Sequence, residues 1–429
     1  MRARQRSLKV EGPSDDRFTI ASALFLSMFA AQASVLVLSP ILADVADAFG
    51  VSVAVAGQLR SLSGVTAGIV ALFATRLAHR IGLRRLVGGA LLLLALASFA
   101  SALAPTFVAL ATAQIALGAA LAGVLSGAIA AAEEWPHAEA RRRVLSWALN
   151  GQPTAWVVGL PLIGIFATYD WRLALLVVPL GSALLALLAL RRVPPTSTAT
   201  TPDGTTTLTP VLRRPPVARW AAGELLAFAA WSGTLVFAGS LFVQSYGASP
   251  AMTALMLGGA AIAYVPGNLV ARRAIDGGSS RPLAFLAGGA SIGALVFGAA
   301  RPVMGFSAAV FALLALLAGA RTFAGSIRGM ALAPDARVAV TGLRAAATQF
   351  GYLLGTALGG AALAVGGYTG LALMLSLLFA LAALPHLTSR PSRAGAFGPD
   401  GPDPADRMLR QDLRTRDRAG LGGAVSHRP

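Results

Sequence analysis

Residues 106–132 read TFVALATAQIALGAALAGVLSGAIAAA, and this stretch decides the fold. It passes 27 residues without a charge, and its one amide side chain is Gln114. A helix rising ~1.5 Å per residue crosses the ~30 Å hydrocarbon core of a bilayer with about 20 residues, so this run is long enough to span. The same ruler finds eleven further runs, at 18–40, 53–75, 86–104, 145–167, 172–190, 218–243, 251–271, 282–300, 303–326, 340–364 and 369–388. Ala31-Gln32-Ala33 in the first run looks like a signal-peptide cleavage site, but apolar sequence continues to Leu42, so a retained helix is expected. Twelve transmembrane helices predict an all-α integral membrane protein with the lipid bilayer as its solvent.

Composition agrees. Of 429 residues, 56% are hydrophobic and 12% charged, against about a quarter charged in ordinary globular chains. There is no cysteine, which excludes disulfides, thiolate catalysis and cysteine-ligated metals. The four histidines, His79, His137, His386 and His427, are never spaced as a zinc pair. Lys9 is the sole lysine and follows leucine, so no glycine-rich phosphate loop ending in Gly-Lys exists. The expectation is a protein that is not an enzyme and holds no metal and no cofactor. Energy for any transport must come from a gradient or a separate subunit.

The formal charge of +17 would suggest nucleic acid in a soluble protein. Its location argues otherwise. The tails and the even-numbered connections hold 31 of the 35 Lys and Arg residues, while the opposite face holds Arg172 and Arg301. This bias puts both termini in the cytoplasm and needs no nucleic acid partner.

The chain also repeats at an offset of 197 or 198 residues. Gly50-Val51-Ser52 recurs as Gly247-Ala248-Ser249, Arg84 as Arg281, Pro105 as Pro302, Pro136 as Pro334, and Leu173-Ala174-Leu175 as Leu371-Ala372-Leu373. Five matches in order predict two pseudo-symmetric six-helix bundles, 18–190 and 218–388. Around them lie an N-terminal tail (1–17), a Pro/Thr-rich cytoplasmic linker (191–217) too polar for a helix, and a C-terminal tail (389–429) whose mixed charges predict disorder.

These features resemble the major facilitator superfamily of transporters over nearly the whole chain except the tails. Its signature loop after the second helix, G-x-L-A-D-R-x-G-R-R, is matched by Thr75 to Arg85, with Arg76, Arg80, Gly82, Arg84 and Arg85 in place. Thr75 replaces glycine and His79 replaces aspartate. The resemblance implies a gating loop here, a charged latch remade as the halves rock, with one anion missing. A second match runs from Glu134-Trp135-Pro136 through Arg141-Arg142-Arg143, Gly159-Leu160-Pro161 and Asp170-Trp171-Arg172. That spacing is similar to the arabinose-permease-like and drug–proton antiporter branches. The helix-4 arginine of many such antiporters is Gln114 here.

Three ionisable residues lie inside expected helices: Arg60, Glu224 and Arg321. A charge at the bilayer centre costs about 3 kcal/mol even on lenient scales, so such residues face cavities, pair, or snorkel. Arg60 and Arg321 are long enough to snorkel; Glu224 is not. Burial favours the neutral form of a carboxyl, as a proton carrier requires, so Glu224 is the proton-coupling candidate, against a structural pairing with Arg219 or Arg321. Polar residues on the helices that line the cavity in this superfamily, among them Gln32, Gln58, Gln114, Asn150, Gln152, Gln244, Asn268 and Gln349, together with Arg60 and Arg321, are candidates for contact with solute. Trp156, Trp231, Phe237, Tyr264 and Tyr352 are candidates for an aromatic wall.

The sequence therefore predicts a monomeric, multi-pass secondary transporter of the bacterial inner membrane that exports a small organic solute against proton entry. The solute is drug-like, a sugar or another metabolite. Facilitated uniport or uptake without proton coupling, and a receptor that no longer transports, are the alternatives.

Overall fold

The structure, a computed structural model, describes residues 14–133, 138–192, 208–274 and 279–387. The C-terminal tail, most of the N-terminal tail, the Trp135-Pro136 turn and the linker over 193–207 lie outside the described residues. Among the described residues all regular structure is helical. The first half contains α1 (Ser14–Leu36), α2 (Leu38–Ala48), α3 (Val53–Ile81), α4 (Leu83–Ala102), α5 (Phe107–Glu133), α6 (Ala138–Leu149), α7 (Gly151–Thr154), α8 (Leu160–Ala167), α9 (Trp171–Leu175) and α10 (Gly181–Arg191). Wide π turns join α7 to α8 at Ala155–Gly159 and α9 to α10 at Leu176–Leu180. The second half contains α11 (Leu208–Leu212), α12 (Pro215–Tyr246), α13 (Pro250–Ala274), α14 (Arg281–Ala299), α15 (Met304–Leu332) and α16 (Arg337–Leu387).

Ten helices among the described residues are long and apolar enough to cross a membrane. The difference from the twelve expected has two sources. α16 is two helices meeting at Gly366–Gly367, where the backbone leaves helical geometry between the expected spans 340–364 and 369–388. The expected span 145–167 is divided among α6, α7 and α8 by a π turn between Pro153 and Pro161, since proline withholds an N–H from the ladder.

The repeat is visible in local geometry. Gly50 and Gly247 both take positive φ, 62° and 64°, a region that penalises any Cβ. Two residues later, the hydroxyls of Ser52 and Ser249 accept from the amides of Val55 and Met252 and cap α3 and the start of α13. α3 and α13, and likewise α5 and α15, begin 197 residues apart. At the opposite ends, Arg84 Nη2 donates to the Arg191 carbonyl at the close of α10, and Ser280 Oγ donates to the His386 carbonyl at the close of α16. Each half uses the start of its third span to satisfy the carbonyls that end its sixth.

One correction concerns the linker expected over 191–217. Leu208–Leu212 is helical and α12 already begins at Pro215, because Val211 and Val217 are buried with Trp220, Ala336 and Val340. Prolines at the first turn of α12 cost nothing there. Just before that turn, Arg214 donates from Nη1 and Nη2 to both carboxylate oxygens of Asp335, at 2.9 and 2.7 Å. These hydrogen bonds hold the Asp335 carboxyl down at about 2. A depressed carboxyl contributes stability above its unfolded value, ~3.9, and loses it as pH falls toward 2. Both side chains are exposed, so the effect is local and screened. Asp335→Asn should speed amide exchange over 211–217 by roughly twofold to fivefold at pH 7. The difference from the native protein should vanish near pH 2; an equal difference at both pH values would remove the pair from this role.

Among the described residues, contacts between the halves gather at one end, and α3 extends them along α16 as far as Gly68 beside Phe350. α2 packs against α12 and α13, α8 against α13, and α3 against α16, whereas α1, α6 and α7 pack closely only within their own half. The Ser39 hydroxyl donates to the Leu235 carbonyl, and a Cβ at Gly239 would meet the Ser39 carbonyl. Gln58 Nε2 donates to the Thr356 carbonyl at 3.0 Å. These contacts lie far from the chain termini. Between α1 and α7 on one side and the second half on the other, there is open space.

Candidate substrate cavity and charge network

A cavity of about 560 Å³ occupies the space where the halves part, within the ~300–1,000 Å³ range of small-molecule sites. α1, the α6–α7 junction and the following π turn form one wall; α12, α13, α15 and α16 form the other. Trp231 lines it, stacked on Tyr264 and Phe311 with ring centroids at 6.3 and 6.1 Å. Trp156, Phe228 and Tyr352 complete an aromatic lining, and Gln32, Asn150, Gln152, Asn268, Ser232 and Thr348 supply hydrogen-bonding groups. Offset rings and a few convergent polar groups suit a ligand with a flat apolar body and a polar edge.

The expected site residues divide into three groups. Gln32, Gln152, Trp231 and Asn268 line the cavity, as do Asn150, Trp156, Tyr264 and Tyr352. Arg60 lies behind the lining, its guanidinium 4.3 Å from the Tyr352 ring centre and donating from Nη1 to Ser63 Oγ. Gln349, one residue beyond the lining Thr348, keeps a buried Oε1 without a partner. Elsewhere, Gln114 is buried in the first half and donates to Ser101 Oγ at 3.2 Å. Gln58 joins the seal between the halves, Phe237 is buried beside Gly57, and Gln244 accepts from Tyr368.

In the gating loop, α3 runs through Arg76, His79 and Arg80 and stops at Gly82, whose φ of 83° starts the turn into α4. Arg80 and Arg85 are exposed, and Arg84 reaches α10. The side chains of Arg76 and His79 lie outside the described residues.

Glu224 is fully buried and lies between two cations. Arg321 Nη1 donates to its Oε1 at 2.9 Å, and Arg344 Nε donates to its Oε2 at 3.3 Å. Arg321 Nη2 donates to the Gly223 carbonyl and Arg344 Nη2 to the Thr322 carbonyl. A Cβ at Gly325 would strike the Glu224 carboxylate, so a residue without a side chain makes room for it. The spacing of Arg321 and Gly325 on α15 therefore has a local meaning: one donates to Glu224 and the other accommodates it. Arg344 is the residue that sequence reasoning missed. It falls inside the expected span 340–364, four residues from its start, and that position was the available signal.

The fold and cavity together define a multi-pass helical membrane protein with a solute-sized chamber between two related halves. The family model of the Major Facilitator Superfamily matches residues 24–330, and the chain belongs to that family of transporters. No significant match is found among curated proteins. Among solved structures, the chain is similar to a bacterial homolog of the human lysosomal transporter Spinster in an inward-facing, occupied conformation, with a TM-score of 0.72 at 15% identity, covering 88% of this chain and 97% of that one. It is similar to the nucleoside transporter NupG, with a TM-score of 0.71 at 15% identity over 88% and 100% of the two chains. The D-xylose–proton symporter gives 0.70 at 16% identity over 86% and 96%. At such identities the likeness concerns the fold.

Proposed function

We propose that the chain is a proton-coupled exporter of a small organic solute, working by alternating access across the bacterial inner membrane. In this reading twelve spans form two bundles, 18–190 and 218–388, and both termini are cytoplasmic. The supporting observation is the cavity itself, at the interface of the two repeats and sealed at the end opposite the termini. With basic loops in the cytoplasm, that geometry corresponds to a chamber open inward. Glu224 is the proposed proton carrier. Its two guanidinium partners belong to α15 and α16, so relative movement of these helices against α12 would change what neutralises the carboxylate. Coupling requires such a link between charge and conformation.

A second reading, uniport without protons, is favoured by the same ion pairs, because they give Glu224 a structural task. Flux in proteoliposomes separates the two. Solute should accumulate against its gradient only when a pH gradient is imposed. Equilibration at the same rate with and without the gradient identifies a uniporter, and no flux at all identifies a receptor.

A further inference from the structure

Among the described residues the charges around the cavity do not balance, and the imbalance points to the kind of solute it takes. Among the described residues, no aspartate or glutamate lines the cavity. Beside the lining residue Phe228, Arg321 and Arg344 share the carboxylate of Glu224, which leaves this trio with one positive charge in excess. Arg321 is buried, whereas the Arg344 side chain is 23% exposed. Arg344 lies one turn before Thr348 on α16 and its guanidinium is 5.7 Å from the Phe228 ring centre; Thr348 and Phe228 both line the cavity. Its Nε and Nη2 are engaged by Glu224 and Thr322, and Nη1 makes no hydrogen bond among the described residues. Further along the same wall, Arg60 adds a second cation under the Tyr352 ring, with no salt bridge among the described residues and its Nε buried without a partner.

Uncompensated charge inside a membrane protein is costly, and its default meaning is a functional one with a counter-ion to be named. A cationic solute would add to the imbalance and a neutral one would leave it. An anion corrects it. We infer that the cavity selects organic anions, holding a flat apolar body against the Trp231 face and directing a carboxylate to Nη1 of Arg344. This rests on the reading of the cavity as the solute site and narrows the substrate class within it. A guanidinium–carboxylate hydrogen bond is the stronger, charge-assisted kind, and partial exposure of Arg344 moderates it to about a tenfold preference.

The test uses three probes of one shape: 1-naphthoate, 1-naphthamide and 1-naphthylmethylammonium. Each is titrated against the full-length protein in phosphatidylcholine nanodiscs, with quenching of tryptophan fluorescence as the readout, since Trp156 and Trp231 are in the wall. Naphthoate should bind about tenfold tighter than naphthamide, and the ammonium weakest. Arg344→Gln should abolish that preference while leaving naphthamide within about twofold, and Arg344→Lys should keep much of it. Glu224→Gln, which removes the competing carboxylate, should strengthen naphthoate binding. A folding defect in any one variant would weaken all three probes alike, and the other two variants then decide. Equal binding of naphthoate and naphthamide by the native protein, or tightest binding of the ammonium, overturns the inference and leaves the cavity as a solute site. Quenching by none of the three overturns both.

Discussion

Vesicles carrying Glu224→Gln should bind and exchange solute yet fail to concentrate it. One proton exchanged per solute supports about tenfold accumulation per pH unit, because one unit is worth about 1.4 kcal/mol. The variant should bring that ratio to one, while exchange between equal pools continues. Glutamine has the shape of the protonated carboxyl but cannot change charge, so it separates carrying a proton from filling space. It also leaves Arg321 and Arg344 with no carboxylate, and breaking a buried pair costs about 3–5 kcal/mol. Preserved exchange is therefore the control that the halves still assemble. Undiminished accumulation would show that Glu224 serves the two arginines alone and would favour an interfacial carrier such as Glu133 at the end of α5, with uniport the account if the native protein does not accumulate solute either.

Gly239→Val should impair transport by a different route. The new Cβ would enter the Ser39 carbonyl where α2 and α12 meet, a backbone contact that no side-chain rotation relieves. Overpacking of this kind costs about 1–3 kcal/mol, enough to shift a two-state equilibrium by roughly fivefold to 150-fold. Opening of the seal should then be favoured and the termini-side mouth should close. The native chain has no cysteine, so single cysteines report directly. A cysteine at Asn150, exposed at the mouth, should label more slowly in the Gly239→Val background, and one at Leu235, beneath the seal, should label faster. Unchanged labelling at both would remove this contact from the gate. Turnover should fall with the population of the sealed state, since the cycle visits both.

The sequence reports transmembrane helices well because lipid imposes one requirement, an unbroken apolar run, on all of them. It reports helix ends poorly. α15 continues to Leu332, past the apolar run that stops near 326, and brings Arg328 into the protein. Helices do not end where hydrocarbon does; backbone hydrogen bonding continues into the interface, where polar side chains are tolerated. The repeat was legible because turns need particular residues: positive φ at Gly50 and Gly247 and hydroxyl caps at Ser52 and Ser249. The cavity was half legible. Gln32, Gln152, Trp231 and Asn268 announce themselves as polar or bulky groups on lining helices, but Gln114 has the same look and meets Ser101 instead. Which face of an apolar helix turns inward is set by its neighbours, and the low amphipathicity of a lipid-bathed helix hides it. Arg344 was missed because a charge near a helix end passes for a topology signal, and only packing of α16 on α12 carries it to Glu224.

The matched caps also bear on how the chain is made. Every turn and cap paired across the repeat is completed within its own half: Ser52 with Val55, Arg84 with Arg191, Ser249 with Met252, Ser280 with His386. At ribosomal rates of roughly 5–20 residues per second, the second copy of each emerges some 10–40 seconds after the first. The first bundle thus has these local closures in hand before its counterpart exists, and its contacts with the second half, such as Ser39 with Leu235 and Gln58 with Thr356, wait for that half to emerge. Contacts between the halves are the last to be made during biogenesis, and in the proposed alternating-access cycle they are also the ones broken and remade.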